Sequence, residues 1–144
     1  MIDYLMLYVD DDALLARANA DNFRIHFKDT NLGFRLFTTA EEADAFVKSS
    51  DGNIALAIID LWMVNKNTNT QNQRAGFTLV EGIRKRFPKC FIIIVSAHLT
   101  PEIIQELEQY GFMGIIAKPF PTSDLINIID RKMKEMGITI QKTE

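Results

Sequence analysis

The sequence predicts a doubly wound α/β domain, a five-stranded parallel sheet with helices on both faces. Three observations predict it. Five short apolar runs punctuate the chain: Tyr4–Val9, Phe34–Phe37, Ile54–Ile59, Phe91–Val95 and Gly114–Ala117. Most are continuous rather than alternating, the mark of strands covered on both faces. The segments between them carry helical spacing, so strand and helix alternate five times. A length of 144 residues suits one domain with a sizeable core.

Each helix has its own signal. Leu14, Ala18 and Ile25 fall on one face of the first, which is expected to be its buried stripe. Thr39 and Glu42 have the spacing of a capping box ahead of Ala43, Phe46 and Val47. Phe77, Val80 and Phe87 mark the third helix. Thr100-Pro101 opens the fourth with a cap and a proline at the first helical position. Ile103, Ile104 and Leu107 follow, and Gly111 ends it. In the fifth, Leu125, Ile128, Ile129, Lys132, Met133 and Met136 keep a 3.6 period, with Lys132 free to snorkel. The domain is expected over 1–136. A polar insert occupies 65–73, and 137–144 is a tail without clear periodicity, expected to be a flexible end.

Composition narrows the function. Hydrophobic residues make up 47% and charged residues 24%, ordinary for a globular protein. A net charge of −3 argues against a nucleic-acid binder. Residues 1–60 hold 11 acids and 5 bases, and three of those acids, Asp10, Asp11 and Asp12, are consecutive. The lone Cys90 cannot form an internal disulfide, which fits a reducing cytoplasm, and it reads as a buried inert thiol. No signal peptide or membrane-length apolar run is evident. His26, mid-helix without a partner motif, reads as structural.

In open α/β sheets the functional crevice lies at the carboxyl ends of the strands. There the first run meets Asp10-Asp11-Asp12, the third Asp60, the fourth Ser96 and the fifth Lys118-Pro119. Each has a plain reading. Acids favour a helix N-terminus, an Asp or Ser starts a turn, and a Lys before Pro is commonly a solvated charge. Their joint occurrence at one end of four strands is what points to chemistry. Clustered carboxylates repel unless a cation joins them, and magnesium prefers oxygen ligands. An Asp can become an acyl phosphate, a lysine pairs with the phosphoryl charge, and a hydroxyl donates to a phosphoryl oxygen.

From residue 4 to about 136 the chain resembles the receiver domain of two-component response regulators. The stretches "LYVDDDALL", "LAIIDLWM", "AGFTLVEGIRK", "IIIVSAH" and "GIIAKPF" carry the resemblance. It implies a flavodoxin-like sheet in the order 2-1-3-4-5. Asp60 matches the phosphoacceptor, and Asp10 and Asp11 the acidic pair, with Asp11 the direct metal ligand and Asp10 acting through water. The backbone carbonyl of Trp62 matches a further ligand of Mg2+ (or Mn2+), and Asp60 itself completes the set. Asp12 falls one place beyond the pair and reads as a helix cap. Ser96 matches the switch hydroxyl and Lys118 the phosphate-pairing lysine, with Pro119 a cis-peptide candidate. Ala97 matches a small residue that leaves the phosphate open to attack. Trp62 and His98 occupy positions that tune phosphate lifetime, and a bulky Trp62 predicts slow self-dephosphorylation.

Three departures stand out. Ile115 takes the place of the family's usual aromatic and lacks its lever arm. Signalling through the face of the fourth helix, fifth strand and fifth helix is therefore expected to differ. Phe112 reads as a loop or packing residue. Val64 replaces the usual proline. Gly76 stands sixteen positions after Asp60, much farther than the family's glycine. The insertion amounts to about eight residues, which polar surface loops tolerate. It reads either as a solvated loop with no role or as a segment that selects a partner or shields the phosphoryl group.

The resemblance implies a phosphorylation-controlled switch rather than an enzyme. A sensor histidine kinase or histidine phosphotransfer protein would supply the phosphoryl group, and a downstream effector protein would read the result. A cytoplasmic site is implied, with no nucleic acid or membrane contacted directly and homodimerisation left open. The start at Met1 favours an N-terminal or complete unit. Two alternatives remain. A degenerate receiver would only bind partners. A haloacid-dehalogenase-like phosphatase would use the Asp-x-Asp spacing within Asp10–Asp12, but it needs a late acidic pair and leaves Asp60 without a role.

Overall fold

The computed structural model describes residues 2–65, 70–72, 74–111 and 114–141. In chain order the elements are β1 (Tyr4–Val9), α1 (Ala13–His26), β2 (Leu32–Phe37), α2 (Ala40–Ser49), β3 (Ile54–Asp60) and β4 (Met63–Asn65). They continue with β5 (Thr70–Asn72), α3 (Arg74–Arg86), β6 (Phe91–Ser96), α4 (Pro101–Glu108), β7 (Gly114–Ala117) and α5 (Thr122–Glu135). The main sheet is five-stranded and ordered β2-β1-β3-β6-β7, with every pairing parallel. That is the predicted 2-1-3-4-5 arrangement once the short β4 and β5 are set aside.

Central strands look as their sequences demand. Every residue of β3 and of β6 is buried. One apolar layer joins Leu7, Val9, Ile59 and Ile94 to Val47, Val80 and Ile83 of α2 and α3. On the other face Met6, Tyr8, Ile58 and Ile93 meet Phe23 of α1 and Leu125, Ile129 and Met133 of α5. Burying one large aliphatic side chain is worth about 1.5–3 kcal/mol. The two layers are therefore the main favourable term for the fold.

The predicted helix ends are present. Asp12 accepts a hydrogen bond from the Leu15 amide, Thr39 from Glu42 and Thr100 from Ile103. Each such cap is worth about 1 kcal/mol. Gly111 follows α4 at φ 68°, a conformation glycine reaches without a Cβ clash. The Lys132 ammonium lies 5.5 Å from the Phe91 ring centroid and 3.2 Å from Glu135 Oε2.

Three expectations need correction. On α1 the buried residues are Ala16, Asn19, Ala20 and Phe23, whereas Leu14 is 84% and Ile25 78% exposed. Tyr8 fills space beneath the helix, edge-on to Phe23 at 5.5 Å between ring centroids, so the remaining sheet-facing positions of α1 are two alanines and one amide. His26 is the last residue of α1 rather than mid-helix, and its Nε2 lies 2.9 Å from Asp130 on α5. The segment after α5 is docked as far as residue 141. Ile138 and Ile140 pack on the α1/α5 core, and Asn31 exchanges backbone and side-chain hydrogen bonds with Gln141. Residues 142–144 lie outside the described residues, as does Phe112.

The insert is more than a loop. Met63, Val64 and Asn65 pair antiparallel with Asn72, Gln71 and Thr70. The intervening 66–69 and residue 73 lie outside the described residues. This hairpin returns the chain so that Gly76 packs beneath Leu61, next to Asp60 in sequence. A Cβ at Gly76 would lie 2.5 Å from the Leu61 carbonyl oxygen. Replacing Gly76 by Ala improves helix propensity by up to about 1 kcal/mol. The clash is with backbone and dominates, so Gly76→Ala is expected to lose about 2 kcal/mol net in urea unfolding. Unchanged or raised stability would show that the close approach is not tight.

Candidate functional site

Strand register brings the site together. Val9 pairs with Ile59, Asp60 with Val95, and Ser96 with Ala117. Asp10, Asp60, Ser96 and Lys118 therefore emerge at the same edge of the sheet. Three of these side chains are fixed by the same local device. Asp10 Oδ1 accepts from the Asp12 amide at 2.9 Å, Asp60 Oδ1 from Trp62 at 3.1 Å, and Ser96 Oγ from His98 at 3.1 Å. In each case the backbone turns directly after the strand, and the amide two residues on closes onto the side chain. The turn holds the group and uses one lone pair. It leaves a second carboxylate oxygen, or a hydroxyl proton, for other work.

Lys118 closes the site. Its Nζ lies 3.0 Å from Asp10 Oδ2 and 3.0 Å from Asp60 Oδ2. The Lys118–Pro119 peptide is cis. Carboxylate oxygens of Asp10, Asp11 and Asp60 lie within 4.8 Å of one another. Asp10 and Asp60 are buried, at 0% and 4% exposure. Burial and then the neighbouring Asp10 charge push the Asp60 carboxyl up to about 7, against the opposing pull of Lys118 and the Trp62 amide. Burial alone would lower the Lys118 ammonium, but the Asp60 and Asp10 charges outweigh it and raise it. One lysine thus does not neutralise the cluster. An all-oxygen, surplus-negative pocket is what a hard divalent cation fits.

The remaining predicted residues surround this centre. Trp62 is half-buried and its ring meets that of His98 at a tilt of 49°, with centroids 5.0 Å apart. Ala97 and His98 are exposed. Ala97 lines a cleft of ≈ 280 Å³ with Leu15, Lys118, Pro119 and Phe120. A larger cleft, ≈ 540 Å³, is lined by Tyr4, Asn53, Phe87 and Met136 among others and contains none of the site residues. Ile115 sits on β7, half-buried against the α2/α3/α4 core layer. Cys90 is buried, and burial pushes its thiol up to about 12, as expected of an inert cysteine.

A group that the motifs did not mark lies beneath Asp10. The Tyr8 hydroxyl donates to Asp10 Oδ2 at 3.4 Å and accepts from Asn19 Nδ2 at 2.8 Å. The Thr122 hydroxyl donates to Asn19 Oδ1 at 2.6 Å. The available signal was period two: Tyr8 precedes Asp10 by two and shares its face of the strand.

A five-stranded parallel sheet of this order, with acids and a lysine at its carboxyl edge, defines the class of receiver-like switches. Comparison with known proteins is specific. The response regulator receiver domain family matches residues 6–130, and the chain belongs to that family. A putative NtrX-like response regulator of Rickettsia felis is 27% identical over 149 residues, covering 96% of this chain and 29% of that protein. The transcriptional regulatory protein DcuR of Escherichia coli K12 is 26% identical over 121 residues, covering 82% of this chain and 45% of that protein. The chain thus spans less than half the length of either relative. A CheY-like receiver domain from Methanospirillum hungatei superposes with a TM-score of 0.75 at 21% identity, over 94% of this chain and 96% of that one. Receiver domains of this family are in general signalling modules. Among the described residues no helix is long and apolar enough to cross a membrane.

Proposed function

We propose that the domain is a phosphorylation-controlled switch in which Asp60 accepts a phosphoryl group from a histidine of a sensor kinase or phosphotransfer protein. The observation that carries this reading is the placement of the Lys118 ammonium 3.0 Å from both Asp10 and Asp60. A carboxylate oxygen of Asp60 attacks phosphorus, the bond to the donor nitrogen breaks, and the acyl phosphate forms. Lys118 pairs with the added charge, and Ser96 donates its hydroxyl proton to a phosphoryl oxygen. Asp11, Asp60 and the Trp62 carbonyl would hold Mg2+ (or Mn2+), with Asp10 acting through water. When bound, the cation neutralises the carboxylates and phosphoryl oxygens. The cleft bordered by Ala97 gives the donor access. Output follows from altered binding of a downstream effector protein in the cytoplasm, with Ile115 in place of an aromatic lever.

The test incubates the protein with magnesium and acetyl phosphate and follows intact mass. A phosphoadduct is expected on the unsubstituted chain and none on Asp60→Ala. No adduct, or one that survives the substitution, overturns the reading. The same preparation, freed of donor, reports lifetime. The bulky Trp62 follows Asp60 by two residues and its ring contacts His98, so slow hydrolysis is expected, and a lifetime of seconds would count against a shielding role.

A further inference from the structure

The polar chain beneath Asp10 is an unusual use of core space. Tyr8, Asn19 and Asp10 are 0%, 1% and 0% exposed, and Tyr8 packs among the apolar side chains of the α1/α5 layer. Buried polar groups cost stability unless paired, and an apolar residue at position 8 would fill the same layer. Here all the donors point one way. Thr122 donates to Asn19, Asn19 to Tyr8, and Tyr8 to Asp10. The contacts lengthen toward the site, from 2.6 to 2.8 to 3.4 Å.

The chain also closes into a ring. Lys118 holds the same oxygen, Asp10 Oδ2, at 3.0 Å. From Lys118 the backbone runs through Pro119, Phe120 and Pro121 to Thr122, the first residue of α5. Two prolines fix two backbone torsions in that short link. Whatever moves Lys118 or the Asp10 carboxylate is therefore felt at the first turn of α5 by two routes.

We propose that Tyr8 is a positioning residue for the acid pair and that, with Asn19 and Thr122, it transmits the state of the site to the N-terminus of α5. The proposal rests on the phosphoacceptor reading above and adds its route of output. When a phosphoryl group draws Lys118 away, Asp10 Oδ2 loses a charged donor and the Tyr8 hydroxyl moves in on that oxygen. The 3.4 Å contact is long enough to shorten. Asn19 follows Tyr8, Thr122 follows Asn19, and the first turn of α5 shifts. This route lies on the α1/α5 side of the sheet, away from Ile115, whose side chain supplies no aromatic lever.

The experiment uses the full chain labelled with nitrogen-15, with Tyr8→Phe and Thr122→Val as variants. Magnesium is titrated first, followed by the fluorescence of Trp62, the single tryptophan. Beryllofluoride is then added as a phosphoryl mimic. In the unsubstituted protein, the Asn19 side-chain amide and the backbone amides of 122–125 are expected to shift with beryllofluoride. Tyr8→Phe is expected to weaken magnesium about fivefold, the scale of one ordinary hydrogen bond, as suits a 3.4 Å contact, and to remove most of the α5 shift. Thr122→Val, at the outer end, is expected to leave magnesium affinity unchanged while also reducing the α5 shift. Both variants should still form the Asp60 phosphoadduct. A relay confined to structure would leave the ligand-dependent shifts intact in both, and that outcome overturns this proposal alone. Absence of any magnesium or beryllofluoride response in the unsubstituted chain overturns the phosphoacceptor reading and this one with it. Should Tyr8→Phe fail to fold, the Thr122→Val shifts decide.

Discussion

Lys118→Met is expected to lower the stability of the cation-free protein at pH 8 by about 3 kcal/mol, and by much less at pH 5. Methionine keeps most of the volume and removes the charge. What remains is Asp10 and Asp60, buried side by side with their shared ammonium gone. Removing one partner of a buried ion pair leaves an uncompensated charge, and the typical cost is about 3–5 kcal/mol. The cost is capped because Asp60 can take up a proton, its carboxyl being pushed up to about 7 already. Lys118 itself is raised above its ordinary value, so its contribution is present at neutral pH and disappears only as pH climbs through the raised value. At pH 5 Asp60 is protonated in both proteins and the lysine has less charge to balance. Urea unfolding in chelator at the two pH values measures the difference. Magnesium should restore part of the loss at pH 8 by supplying the missing positive charge. An equal loss at both pH values would mean that Lys118 stabilises by packing rather than by charge.

Much of this is legible in the residues alone. Continuous apolar runs mark the parallel strands because strands buried on both faces have no polar side. Caps at Asp12, Thr39 and Thr100 are legible because the side-chain acceptor and its amide lie within three residues. The site is legible because its groups follow directly on strands, and sheet order then gathers them. What escapes is non-local. The β4/β5 hairpin is built from backbone pairing in a largely polar segment, which leaves no hydrophobic period to find. Docking of the tail depends on Asn31 meeting Gln141, 110 positions away. On α1, counting hydrophobes favours Leu14 and Ile25, whereas the sheet beneath needs the small Ala16 and Ala20 and a partner for a tyrosine hydroxyl. Periodicity weighs apolar character and is blind to that fit. The polar relay escapes for the same reason, since Tyr8 sits in an apolar run and passes for one more core side chain.

Asp60→Asn is expected to make the cation-free protein more stable above neutral pH and to flatten its pH dependence. In the unfolded chain this carboxyl titrates at its ordinary 3.8, and in the folded protein at about 7. Between those values the folded state holds a proton that the unfolded state has released. Stability therefore falls as pH rises from about 4 to 7, and the penalty is complete above that window. Each tenfold difference in proton affinity between the two states corresponds to about 1.4 kcal/mol, so the span is a few kcal/mol at most. Asparagine keeps the shape, can still accept from the Trp62 amide, and carries no charge at any pH. The unsubstituted protein in chelator should show a falling stability limb between about pH 5 and 7, and the variant should lack it. Magnesium should abolish the difference from the other direction, stabilising the unsubstituted protein and doing far less for Asp60→Asn. If the falling limb persists in the variant, the strain belongs to another group. The same buried repulsion that weakens the resting fold is what a cation and a phosphoryl group then relieve. A site that was comfortable when empty would have little free energy to exchange with its ligands, and so little with which to switch.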